Sequence, residues 1–562
     1  MAANSLTRKE MRKRRRRQRN ILRMALIILI ALLLFAGIVF LLVLLASNGT
    51  KNPSRKETLP EVITTEEGET IPTSTEEGET AETESGSSYA AVLASAKRTA
   101  AMYDYDGAVN KIKTEIPDYQ DHTDLTNFIS ECEAKKGQLV KWADNTKITH
   151  VFFHTLIKDN EVAFNKSKVG THADQYNQVM TTISEFNEIM QQMYDRGFVL
   201  VRLTDIASFD ETTGQMKYNE IWLPEGKIPF VLSEDDVSYY EYMNITGGYA
   251  QRLVVTEDGK VMNEVDNPDG TRTVGAYDVL PLLDEFIEAH PDFSYHGAKG
   301  IIALTGYNGI LGYRTSYIMY GNDEVYAQHY DELFKNGEFD EAHAYELAKN
   351  EHAKEMNPQQ NECEHIELTP AEIENERAKA KKVAEAILAD GWEFASHTWG
   401  HMDMSTVVDQ ATGTITNERL QRDTRWWSVE VEPLLGDIDV IIFAKGADIG
   451  TWRGYAEDNA AFQFLKRSGF NYFCNVDSSQ YFVQMSPTAG GTGYFRQGRR
   501  NLDGFLLFKQ MVYPDKDIVK DLMDVYTVFD FSRPLPVMGV TLPEGFTGIT
   551  MPDGSTVPIA AE

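Results

Sequence analysis

The stretch Ile228-Pro229-Phe230-Val231-Leu232-Ser233-Glu234-Asp235-Asp236-Val237 decides the fold. Five apolar residues run without a break into acidic ones, as a short buried strand does when helices cover both its faces. Carboxylates at the C-terminal end of such a strand stand where α/β folds put their chemistry. A second stretch, Ser396-His397-Thr398-Trp399-Gly400-His401, follows an amphipathic helix predicted over Ala380–Asp390, a stop at Gly391 and a short strand, Trp392–Ala395. On one helical turn its two His, four apart, share a face and can hold one cation. One Asp oxygen and two imidazoles make a three-ligand site whose open positions admit water, as hydrolytic metal sites require. Asp pairs commonly sit on solvated loops and His pairs are commonly hydrogen-bonded or exposed. It is the order and the flanks of the two stretches that give them weight.

Working outward, Ile148–His154 reads as a buried strand. A helix follows at Val179–Arg196, closed by Gly197, and then a strand at Phe198–Leu203. With the strand ending in the Asp pair this gives repeated β/α alternation. Downstream come a helix at Trp426–Leu435, whose Trp426 and Trp427 read as core, and a strand at Asp439–Phe443. A helix at Ala461–Gly469 and a strand at Asn471–Val476 follow, and Asn501–Phe508 is the expected last barrel strand. The span from about 240 to 378 reads mostly as an insertion. Within it are a helix at Ala276–His290, a strand at Ile301–Thr305 and a charged, mostly helical Asp331–Arg377 placed to cover a site.

These motifs resemble the polysaccharide deacetylases with a NodB-homology domain (carbohydrate esterase family 4), over residues 148–512 with gaps. The family's T-F-D-D-G appears here as S-E-D-D-V, which keeps the Asp pair. Its H-[ST]-x-x-H appears in full as H-T-W-G-H. The resemblance implies an α/β fold, a distorted (β/α) barrel. It also implies a divalent metal on Asp236, His397 and His401, with Zn²⁺ expected from two imidazoles and a carboxylate and Co²⁺ or another transition metal also fitting. Asp235 would be the base. The turn at Phe443-Ala444-Lys445-Gly446 matches the family's oxyanion-holding motif only at Gly446, and Asp477 resembles a fourth-motif Asp. The late Leu-x-His that supplies a proton donor in the family has no counterpart, because no His follows His401. His154, at the end of a Phe-His strand that resembles the family's first, is the first candidate to replace it. The missing donor also fits a slow enzyme that relies on metal-bound water, or an impaired domain. Arg453, Arg499 and Arg500 could steady a sugar or an anionic wall polymer, but each reads first as a surface salt bridge. The implied activity is hydrolysis of a linear amide, removing acetyl groups from an N-acetylated glycan such as peptidoglycan or an N-acetylglucosamine polymer, with O-deacetylation as a variant. The alternative is a catalytically impaired glycan-binding or scaffold module at the cell surface.

The N-terminal region sets the expected location. The first twenty residues carry nine Lys or Arg and one Glu, and Met24–Ala46 is free of charge. At about 1.5 Å per residue that run spans a ~30 Å hydrocarbon core. It is long for a signal peptide, so 1–23 is expected as a basic cytoplasmic tail and 24–46 as a single-pass transmembrane helix, with the catalytic domain extracellular. Residues 47–88 read as a disordered acidic linker with a near-repeat at Thr65–Thr70 and Thr75–Thr80. Residues 89–145 read as a helical region: Tyr89–Met102, Tyr105–Thr114 and Asp124–Ala143. Residues 513–562 read as an appendage. The formal net charge of −31, strongly acidic despite that basic tail, argues against a nucleic-acid partner and leaves a neutral or cationic glycan open. Cys132, Cys363 and Cys474 are too few for a disulfide framework.

Overall fold

The computed structural model describes residues 82–241, 243, 248–267, 270–333, 366–407, 418–451, 453–477, 481–485 and 492–559. The expected tail, transmembrane segment and most of the linker, and Cys363, lie outside them. Among the described residues no helix is long and apolar enough to cross a membrane. Contacts divide the chain into Met1–Ala91, described only from Glu82, and Val92–Glu562. A helix runs Glu82–Ala101, so residues 82–88 of the expected linker are helical.

Eight parallel strands are numbered here in chain order: β1 (Thr149–His154), β2 (Phe198–Leu200), β3 (Ile228–Asp235), β4 (Ile301–Leu304), β5 (Glu393–Ser396), β6 (Val440–Ile442), β7 (Tyr472–Val476) and β8 (Phe495–Asn501). Seven close a ring in the order β3-β4-β5-β6-β7-β8-β1 and back to β3. The eighth, β2, pairs only with the first residues of β3, Phe198 against Ile228 through Leu200 against Phe230. The ring closes without it because β1 lies directly along β3, from Thr149 against Phe230 to His154 against Asp235. The helices that face this ring include α1 (Ile183–Asp195), α2 (Val279–Ala289), α3 (Pro370–Ala389), α4 (Glu418–Trp426), α5 (Ala460–Arg467) and α6 (Gly504–Val512). Their starts are set by capping side chains: Thr182 and Glu185 form a capping box on α1, and Thr369 and Glu372 form one on α3.

The barrel interior grades from apolar to polar along the strands. Ile148, Val199, Val231, Val440, Tyr472 and Phe495 form a buried cluster together with Ala303 and Ala395. Above them the inward residues become Gln497, Ser233, Arg499 and Asp235, all buried. Apolar burial holds the barrel shut, and the polar groups gather at the C-terminal rim.

Three expectations need correction. Asn501–Phe508 is not the last strand. The strand is Phe495–Asn501, and Asp503 accepts the Leu506 N–H (2.8 Å), which starts α6. The helix expected at Asp124–Ala143 is Thr123–Lys136; it stops at Gly137, and Val140–Lys141 instead pairs with Trp222–Leu223. The span 240–378 divides in two. A three-stranded antiparallel sheet (Arg252–Val255, Val261–Asp266, Arg272–Gly275) is inserted after β3, but α2 and β4 belong to the barrel. Of the expected cover, Asp323–Leu333 and α3 are helical and residues 334–365 lie outside the described residues. Trp426 and Trp427 are core, 2% and 1% exposed.

Candidate metal centre

Strand β3 ends at Asp235, and the backbone then turns. Asp236 takes a left-handed conformation, φ 63°, which Asp tolerates better than most residues. Two adjacent carboxylates therefore aim differently. Asp235 continues the inward alternation of the strand, and Asp236 swings over the rim. Glu234 faces the other way, out of the barrel into the core. Burial first, and then the Asp278 charge, push it well above the carboxylate range, so it stays neutral.

The histidine pair follows β5 directly. It does not lie on a helical turn, as the spacing implied. Residues 397–403 are loop, with Thr398 at φ 65° and His401 at φ 49°. The loop brings both imidazoles to the same carboxylate. His397 Nδ1 lies 2.9 Å from the Ile442 carbonyl, which makes it the donating nitrogen and leaves Nε2 with its lone pair. That Nε2 is 3.9 Å from Asp236 Oδ1, and His401 Nε2 is 3.8 Å from Asp236 Oδ2. One ligand atom from each of Asp236, His397 and His401 lies within 4.8 Å of the other two. These separations are too long for hydrogen bonds. They approach the ~3.4 Å between two donors that each lie about 2.1 Å from one tetrahedral ion. Lone pairs facing one another across such a gap fit a cation, and the donor set of two imidazoles and a carboxylate fits Zn²⁺ or a similar transition metal. Tyr240 donates its hydroxyl to Asp236 Oδ1 (2.5 Å), fixing the carboxylate. Burial pushes His401 down to about 4, so its imidazole is neutral near pH 7.

Asp235 is buried beside this cluster. Its Oδ2 is 3.9 Å from His397 Nε2. Arg499, from β8, grips it with two parallel bonds, Nη1 to Oδ1 at 2.7 Å and Nη2 to Oδ2 at 2.9 Å. Burial alone would raise Asp235; the Arg499 guanidinium, together with the His397 and His154 imidazoles, outweighs it and holds the carboxyl at about 2. Arg499 is itself fixed by Ser233 Oγ (3.1 Å) and by the Phe152 ring face, 4.1 Å below it. Ser233 also meets His150 Nε2 (3.0 Å), a fully buried imidazole that desolvation keeps neutral.

The expectation that Arg499 and Arg500 are surface residues is overturned. They are 1% and 2% exposed, and Arg500 pairs with Asp521 at 2.8 Å. Only Arg453 is exposed. Arg499 carries no local signal in sequence, since its partner is 264 residues away.

The remaining expected site residues sit on the same rim. His154 ends β1 in register with Asp235, and its Nδ1 lies 3.1 Å from the Val179 carbonyl, leaving Nε2 for other work. Asp477 follows β7, and its N–H donates to the Arg499 carbonyl (3.0 Å); it is not one of the three converging groups. Gly446, φ 66°, closes the turn after β6 against Val476, where a Cβ would come within 2.6 Å. Its N–H is donated to Phe443 O (3.1 Å), so an oxyanion there would have to compete for it. Sequence reasoning also missed Tyr240 and Asp423, whose carboxylate accepts the N–H groups of Trp399 and Gly400.

No protein-family model matches the chain, and no curated protein does. Among solved structures a Streptococcus pyogenes deacetylase, PplD, determined in complex with acetate, aligns over 65% of this chain and 93% of its own, at 12% identity and a TM-score of 0.27. A likeness that loose carries no functional weight.

Proposed function

We propose that the chain is a metal-dependent hydrolase that removes acetyl groups from an N-acetylated polysaccharide of the cell envelope or secreted matrix, peptidoglycan or an N-acetylglucosamine polymer. The observation that carries this reading is the convergence of Asp236, His397 and His401 beside an ionised, Arg-held Asp235. A divalent cation bound there supplies a Lewis acid for an acetyl carbonyl and lowers the pKa of water. Asp235 accepts a hydrogen bond from the attacking water and takes its proton. The Arg499 pair keeps Asp235 ionised at neutral pH, so it is free to accept that proton. His154 Nε2 delivers a proton to the leaving amine. The products are acetate and a free amino sugar. The Lys445 backbone N–H, in the turn after β6, is the candidate oxyanion donor. The charge-free Met24–Ala46 run would hold the enzyme as a single-pass membrane protein with this domain outside the cell.

A second reading, a glycan-binding or scaffold module without catalysis, is favoured by one observation: no His follows His401, and residues 504–512 form a helix. Two measurements on the purified protein decide between them: bound metal per chain by elemental analysis, and acetate release from chitooligosaccharide and peptidoglycan with and without Zn²⁺ or Co²⁺. Metal near one per chain with metal-dependent release establishes the enzyme. Metal without release on either glycan supports the module. Absence of metal sinks the centre itself.

A further inference from the structure

We infer that Asp423 is a positioning residue for the metal centre, gripping the loop between its two histidines by consecutive backbone amides. The inference rests on the reading that Asp236, His397 and His401 hold a cation. Asp423 lies on α4, is 6% exposed, and stands 24 and 23 residues from the amides it binds. Its Oδ2 accepts the Trp399 N–H at 2.9 Å and its Oδ1 the Gly400 N–H at 2.8 Å. These are the only two residues between Thr398 and His401, so both carboxylate oxygens act on the backbone that separates the ligands.

The loop needs such a hold. Two of its non-glycine residues, Thr398 and His401, have left-handed backbones that L-residues adopt at a cost, and such conformations persist only when surroundings over-determine them. Here the surroundings come from three other elements. The Trp399 carbonyl accepts N–H groups of Gly306 (2.8 Å) and Tyr307 (3.0 Å), from the turn after β4. The Trp399 indole N–H donates to Glu430, on a π-helical turn, Trp427–Val431, that continues α4. Glu430, 1% exposed, is anchored in turn by the Ser316 hydroxyl (3.0 Å) and the Ile318 N–H (2.9 Å). Within the loop, Thr398 Oγ1 accepts the Met402 N–H at 2.7 Å. Among these contacts the Asp423 pair is charge-assisted and bidentate, and it reaches the ligands through one peptide unit on each side. Outer partners that orient metal ligands typically tune affinity by about 10–100-fold.

The test uses the full chain, metal-free, as wild type, Asp423→Ala and Asp423→Asn. Co²⁺ affinity is measured by competition with a chromophoric chelator, the Co²⁺ d–d spectrum is recorded, and hydrogen exchange is followed at the Trp399 and Gly400 amides. Asp423→Ala should weaken Co²⁺ by about 10–100-fold, alter the d–d band and speed exchange at both amides. Asp423→Asn, which keeps one acceptor oxygen, should fall between, and it decides the matter if the Ala variant does not fold. A folded variant that binds Co²⁺ with wild-type affinity and spectrum overturns the positioning role and leaves the proposed function standing. Wild type that binds no Co²⁺ overturns both.

Discussion

Replacing Arg499 by Met removes the cation from a buried ion pair and leaves its carboxylate in place. Asp235 and Arg499 have side chains only 3% and 1% exposed. With the folded value at about 2 against an unfolded value near ~3.9, the ionised Asp235 contributes about 2.5 kcal/mol at neutral pH. Because the folded value is depressed, that contribution is present above the unfolded pKa and lost as pH falls through about 2. The variant goes further than losing it. Asp235 stays buried with no guanidinium, and stranding a buried charge costs about 3–5 kcal/mol. Unfolding Val92–Glu562, roughly 470 residues at about 2.1 cal/mol/K each, carries an entropy near ~1 kcal/mol/K, so Tm should fall by about 3–5 °C at pH 7. With only the neighbouring imidazoles left to oppose it, desolvation raises the Asp235 pKa. The deficit should therefore shrink as pH falls toward about 4, where the unfolded group also takes up its proton. Differential scanning calorimetry of the metal-free protein at pH 7 and pH 4 reads both effects. The double variant Asp235→Asn/Arg499→Met should recover most of the loss. If it is as unstable as Arg499→Met alone, the loss is packing against Phe152 and Ser233, and the electrostatic account fails.

Three further outcomes follow from the same geometry. Asp235→Asn should retain one metal per chain and abolish acetate release, whereas His397→Ala should lose both; full activity in Asp235→Asn would remove it from the reaction. His154→Gln should slow amide deacetylation by about 10²–10⁴-fold while sparing an activated acetyl ester whose leaving group needs no proton, and equal effects on both substrates would deny His154 the donor role. His401 in the metal-free protein, followed by its ring-proton NMR shifts across pH, should keep its neutral, ligating form down to about 4 instead of the ordinary ~6.5. A midpoint near 6.5 would show an imidazole in contact with water.

Much of the scaffold is legible because parallel barrel strands must be apolar on both faces. Ile228–Leu232 and Ile301–Leu304 show it, and the helix stops at Gly197 and Gly391, with φ of 84° and 99°, mark where the strands begin. The identities of the converging groups are legible for a chemical reason, since few other roles need one carboxylate and two imidazoles in this order. Their local geometry is not. The four-residue spacing implies a helical turn, and the structure reaches the same convergence through a loop with two left-handed residues, because partners elsewhere in the chain fix that loop.

Strand β8 shows where reading from sequence fails and what would have repaired it. Phe495-Arg496-Gln497-Gly498-Arg499-Arg500-Asn501 has the composition of a surface segment, yet Phe495 through Arg500 are buried. Alternation sends Gln497 and Arg499 into the barrel, to His150 and Asp235, and Arg496 and Arg500 outward, to Asp448 and Asp521. Each arginine is tolerable only because another element presents a carboxylate, and those lie 264, 48 and 21 residues away. The constraint runs in both directions. An Asp at the inward position of a barrel strand needs a cation from elsewhere in the barrel wall, here two strands away across β1, because a lone buried carboxylate would protonate. If Asp235 is to stay ionised, some inward strand position must carry Lys or Arg. Of two consecutive arginines on one strand, parity allows only one to meet it.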